Sequence, residues 1–67
     1  MPTMTPRQNH IYEALTDDFD HPDVIARRAK ITTVSPRETA SKFCIQLTKL
    51  GKAERGGSKQ FPQWRRK

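Results

Sequence analysis

Residues 25–57, IARRAKITTVSPRETASKFCIQLTKLGKAERGG, decide how this chain folds. At their centre, Ser35-Pro36-Arg37-Glu38 has the form of a capping box: a serine N-cap, proline at the first helical position and glutamate three residues after the cap. Ala40, Phe43, Cys44, Leu47 and Leu50 then recur at helical spacing and make one narrow apolar face. Gly51 stands where a helix-terminating C′ glycine belongs, so the spacing predicts a helix over about 36–50. Upstream, Val24, Ile25, Ala29 and Ile31 predict an inward stripe on a helix over about 22–30. Arg27 and Lys30 fall outside that stripe, and Arg28 at its edge is expected to lay its stem on the core and lift its charge into water. Downstream, a glycine pair separates Lys52-Ala53-Glu54-Arg55 from Lys59-Gln60-Phe61-Pro62-Gln63-Trp64. That pattern reads as a β-hairpin turning at Gly56-Gly57-Ser58, with Ala53 and Phe61 inward and Pro62 confining its strand to an edge.

Outward from that stretch, Thr5-Pro6-Arg7-Gln8 forms another capping-box pattern, and Ile11, Ala14 and Leu15 continue it at helical spacing. A first helix is expected over about 6–17. Phe19, isolated among Asp17, Asp18 and Asp20, reads as an aromatic delivered to the core by a short extended link, with Asp20 or His21 capping the next helix. The expected class is α+β, three helices followed by a C-terminal two-stranded hairpin. Residues 1–4 are expected to be a flexible N-terminus, 5–64 the domain and 65–67 a basic tail. Trp64 is expected to pack near the domain edge.

The composition limits what such a domain can do. With 67 residues there is room for one small core, and a chain of this size buries only roughly 60% of the surface it exposes when unfolded. Few apolar residues are left to line a substrate pocket. Cys44 has no second cysteine to pair with and reads as a buried, inert small hydrophobe. His10 and His21 have no partners at metal-ligand spacing, and Asp17, Asp18, Asp20 and Asp23 lack the spacing and glycine of a calcium loop. No catalytic constellation is present, so no enzymatic activity, small-molecule substrate, metal or cofactor is expected. No apolar run approaches the roughly 18 residues of a membrane span, so neither a membrane partner nor a location outside the cytoplasm is expected.

The formal charge of +6 is unevenly spread. Residues 1–48 hold six cations and six acids, whereas residues 49–67 hold seven cations against Glu54 alone. Such asymmetry points to a polyanionic partner. On the predicted third helix, the face opposite Ala40 and Leu47 carries Glu38, Ser41, Lys42, Ile45, Gln46 and Lys49. A helix fits the major groove of B-DNA, where Lys42 can donate to guanine, Gln46 can pair with adenine, and Ser41 can serve a base or a phosphate. Arg37 lies in the first turn, where free N–H groups and the dipole also favour phosphate. Ile45, apolar in the middle of a polar face, suits a thymine methyl or a protein partner. In the hairpin, Arg55, Lys59 and Gln60 flank Gly56, Gly57 and Ser58, small residues that let a backbone approach a phosphate or enter a minor groove. Arg65 and Arg66 are expected to add phosphate contacts from the tail.

At residues 25–57 the chain resembles the winged helix-turn-helix family, small DNA-binding domains common in bacterial and phage regulators, and the resemblance covers nearly the whole chain. It departs from that pattern in having Lys30 near the usual turn glycine and a longer connection, TTVSPRE, over residues 32–38. The resemblance implies that the third helix fills a major groove while the hairpin, as a wing, touches the duplex beside it. The function expected is sequence-specific binding of double-stranded DNA by a small transcriptional regulator. It would be a monomer or a weak dimer assembling on half-sites. A protein-interaction winged helix, such as a phage-type inhibitor or antirepressor, and an excisionase-like architectural DNA binder are the alternatives.

Overall fold

The computed structural model describes residues 4–67, and the chain is α+β. Three helices, α1 (Pro6–Ala14), α2 (Pro22–Arg28) and α3 (Pro36–Lys49), precede two antiparallel strands, β1 (Ala53–Gly57) and β2 (Pro62–Arg66). Of the segment expected to be flexible, residues 1–3 lie outside the described residues, and Met4 packs against the core.

The two capping boxes behave differently. At α1 the box forms: the Thr5 hydroxyl accepts from the Gln8 N–H at 3.2 Å, and the Gln8 side chain accepts from the Thr5 N–H at 3.0 Å. At α3 the box is absent, a correction to the sequence reading. Ser35 sits at φ −126°, ψ 75°, outside the extended conformation that aims a cap side chain at the helix, and its side chain makes no capping bond. The helix starts there nonetheless, with Pro36 in its first turn and the Thr33 and Thr39 hydroxyls 3.1 Å apart across the entry.

The first two helices end earlier than expected. α1 stops at Ala14 rather than residue 17, because Leu15 is extended (ψ 151°) and two arginines take the released carbonyls. Arg28 donates to Ala14 O at 2.7 Å and Arg66 to Leu15 O at 2.8 Å, supplying positive charge where the helix dipole is negative. Arg28 is exposed as expected, but its guanidinium is also tied down by the protein, since it pairs with Asp20 at 3.0 Å. α2 and α3 both end in a Schellman motif. After α2, Ile31 N–H bonds Ala26 O and Lys30 N–H bonds Arg27 O. After α3, Lys52 N–H bonds Leu47 O and Gly51 N–H bonds Thr48 O. The left-handed position is Gly51 (φ 76°) in one and Lys30 (φ 56°) in the other. Lys30 thus adopts a conformation that normally favours glycine, and the α2 helix ends at Arg28.

The core is drawn from every element. Ile11 and Leu15, Ile25 and Ala29, Ala40, Cys44 and Leu47, then Ala53 and Trp64 are all buried. Trp64 is the largest buried side chain and its indole N–H has no hydrogen-bond partner among the described residues. It is central, not marginal as expected. Asp20 exchanges two backbone hydrogen bonds with Trp64 (2.9 and 3.0 Å), so β2 is flanked by β1 on one side and by this single bridge on the other. His21 is the N-cap of α2 without a side-chain capping bond; Asp20, the other candidate, is held instead by Arg28 and Thr16.

Three apolar expectations are overturned. Val24 is exposed and Ala26 takes its place inside. Phe19 stays at the surface, stacked over Gly56, where a Cβ would come within 2.5–2.8 Å of its ring. Phe61 is 59% exposed. Phe61 lies in the turn before β2, whereas Trp64 is the buried residue of that strand and occupies the core. The glycines are also relocated: Gly56 and Gly57 belong to β1, and the turn is formed by residues 58–61.

Candidate nucleic-acid interface

α3 has two unlike faces. Ala40, Cys44 and Leu47 are completely buried, and burial pushes the Cys44 thiol up to about 12, which keeps it protonated and unreactive. On the other side Arg37, Lys42, Ile45 and Lys49 are exposed and Ser41 and Gln46 half-buried. Together with Glu38 these residues line one shallow concavity along the helix. Ile45 is 47% exposed in its middle. Arg37 lies 3.9 Å from Asp23, a loose and solvent-exposed pair that contributes little. Gln46 is not free, contrary to the sequence reading: its side-chain oxygen accepts from the Gln8 amide at 2.8 Å, so the Thr5 capping box extends across to α3.

The hairpin adds a second basic element beside α3, against which β1 packs. Opposed residues of an antiparallel pair share a face, and Arg55 lies opposite Trp64. Arg55 therefore occupies the helix-facing side of the ribbon, beyond the end of the core. Glu54, Gly56, Gln63 and Arg65 occupy the other side, under Phe19. Lys59 and Gln60 are exposed in the turn, and the Ser58 hydroxyl accepts from the Phe61 N–H at 3.0 Å, closing it. Gly57 is required here: at φ 76° any Cβ would lie 2.5 Å from Phe61 O. Gly56 owes its small size to the Phe19 ring.

Arg65 and Arg66 are not tail residues. Both lie in β2, so the sheet runs two residues past the expected domain end. Arg65 pairs with Glu54 at 2.6 Å and stacks 4.6 Å from the Phe19 centroid; Arg66 bonds the end of α1 and lies 5.0 Å from the Tyr12 centroid. Their charges serve the fold. Lys42, Lys49, Arg55 and Lys59 make no ion pair among the described residues. His10 is exposed and donates its ring Nε2–H to Ala29 O, tying α1 to α2. The described residues contain no cluster of metal-ligating side chains, and none of their helices is long and apolar enough to cross a membrane.

The residue that sequence reasoning missed is Phe61, exposed in a turn whose neighbours are polar or basic. Pro62, which begins β2, was the available signal. The fold and this surface define a small α+β domain with a basic helix face beside a basic ribbon. No family model matches the chain, and searches of the curated proteins and of the solved structures also give no match.

Proposed function

We propose that the protein is a winged helix-turn-helix domain that binds double-stranded DNA, a small transcriptional regulator with α3 in the major groove and the hairpin as wing. One observation carries the reading: α3 buries Ala40, Cys44 and Leu47 completely and exposes Lys42, Ile45 and Lys49 on its other side, and among the described residues these two lysines, like Arg55 and Lys59 of the neighbouring hairpin, make no ion pair. A helix presented this way fits the width of a major groove, and cations alongside it are suited to neutralise phosphates of the flanking backbone. Lys42 and Ser41 read base edges, Ile45 meets a thymine methyl, and Arg37, Lys49, Arg55 and Lys59 contact phosphates. Gln46 reads adenine only after exchanging its Gln8 bond, because bidentate pairing needs its oxygen. Each described helix packs against another element of the domain, and the protein acts as a monomer or assembles on half-sites.

Fluorescence anisotropy with a duplex selected from a random pool, repeated over a salt series, tests this. If Arg37, Lys49, Arg55 and Lys59 each neutralise one phosphate, log K falls against log salt with a slope of about −3.6. A flat salt response, or no duplex recovered by selection, contradicts the proposal. The second reading, a protein-binding surface centred on Ile45, has that exposed side chain in its favour. It predicts loss of a protein partner, with DNA binding absent, in Ile45→Asp.

A further inference from the structure

Phe61 is held in water by a turn that is built rather than loose. The Ser58 hydroxyl bonds the Phe61 N–H, Gly57 packs against the Phe61 carbonyl with no room for a Cβ, and Pro62 fixes the next residue at the start of β2. This closed turn presents a 59% exposed phenyl ring next to Lys59 and Gln60. Along the chain no acid occurs from Arg55 to Lys67; Glu54 is bound by Arg65, and Asp20, bridged to Trp64 on the far edge of β2, is bound by Arg28. An apolar ring at a cationic, glycine-containing ribbon tip has the features of a side chain that enters a minor groove: narrow backbone, flanking phosphate donors and an apolar wedge.

We propose that Phe61 is such a wedge: the hairpin tip places it against or between base pairs in the minor groove, while Lys59 and Arg55 hold the flanking phosphates, and the duplex bends away. This rests on the DNA-binding reading and deepens it, since a wing that only tracked phosphates would need no phenyl ring. Insertion partly unstacks one base step, so the wedge favours pyrimidine–purine steps such as TpA, which unstack most readily. The protein would then shape its site as well as recognise it.

The test uses the full chain and a duplex of about 24 base pairs with a central TpA step, dyes at both ends, and a fluorescent adenine analogue at that step. Wild-type protein is expected to bend the duplex by an angle within about 20–90° and to raise the analogue's fluorescence. Phe61→Ala, which leaves the core untouched, is expected to bind with affinity lowered by no more than about tenfold, because phosphate contacts dominate, and to leave the duplex straight. Phe61→Leu, which keeps an apolar wedge, should restore most of the bend. Equal bending by wild type and Phe61→Ala overturns the wedge, as does a wild-type complex with a straight duplex. Phe61-dependent binding to anionic vesicles with the duplex left straight assigns the tip to a membrane and overturns it too. Absence of any wild-type binding to duplex removes the DNA-binding reading itself, a different result from binding without bending.

Discussion

Two groups of cations in the C-terminal half differ in what surrounds them. Arg65 and Arg66 sit on β2, and each is taken up by the molecule: one by Glu54 and the Phe19 ring, the other by the carbonyls that end α1 and the Tyr12 ring. Lys42 and Lys49 on α3, with Arg55 and Lys59 on the hairpin, have no ion-pair partner among the described residues. Charge counted along the sequence treats the two groups alike. Their surroundings separate cations that hold the fold from cations available to a ligand, and Arg28, bonded to Ala14 O and Asp20, belongs with the first group.

The contrast is broken most directly at Arg66. Arg66→Ala removes a charged donor from the end of α1 and should cost about 1.5–3 kcal/mol in urea unfolding. Duplex affinity should be unchanged where the variant is folded; an unaltered unfolding midpoint with lost binding would reverse its assignment. Lys42→Ala should do the opposite, costing about 1–3 kcal/mol in duplex binding and relaxing base preference while leaving stability within about 0.5 kcal/mol. Lys59→Ala, by contrast, should weaken all sequences alike.

The two Schellman endings sharpen the comparison on the backbone side. Gly51→Ala should destabilise by about 1 kcal/mol because it puts a Cβ at φ 76°, and Lys30→Gly should stabilise by about 1 kcal/mol by relieving φ 56°. Thermal unfolding of both variants checks the pair, and equal effects of the same sign would contradict the shared geometry. The smallest effects separate the two cap sites: Thr5→Ala should cost about 1 kcal/mol, and Ser35→Ala less than about 0.5 kcal/mol, because only Thr5 makes its bond.

Element order was legible because it follows from local spacing. The 3.6-residue recurrence of Ala40, Cys44 and Leu47 and the terminal Gly51 depend on no distant partner, and all lie where that pattern puts them. What was illegible depends on contacts between segments far apart in the chain. α1 ends early because Arg28 and Arg66 arrive from elsewhere to take its carbonyls. Gly56 looks like a turn residue until Phe19 is found lying on it. Gln46 looks free on a helical wheel, yet Gln8 bonds it from a helix 38 positions away. The candidate face was partly legible for the same reason: Lys42, Ile45 and Lys49 follow from periodicity alone, whereas the internal use of Arg65 and Arg66 required the register of β2 on β1. The failed Ser35 box shows that a correct local pattern can be overridden by backbone geometry at the entry to a helix.

Titration of the isotope-labelled full chain with a mixed-sequence duplex, followed by NMR, tests the central claim most directly. The account predicts shifts concentrated in Arg37, Ser41, Lys42, Ile45 and Lys49 and in the hairpin from Arg55 to Phe61, with the Arg28 and Arg66 guanidinium signals unmoved. Shifts centred on Arg28 and Arg66, or a spectrum indifferent to DNA, would contradict it.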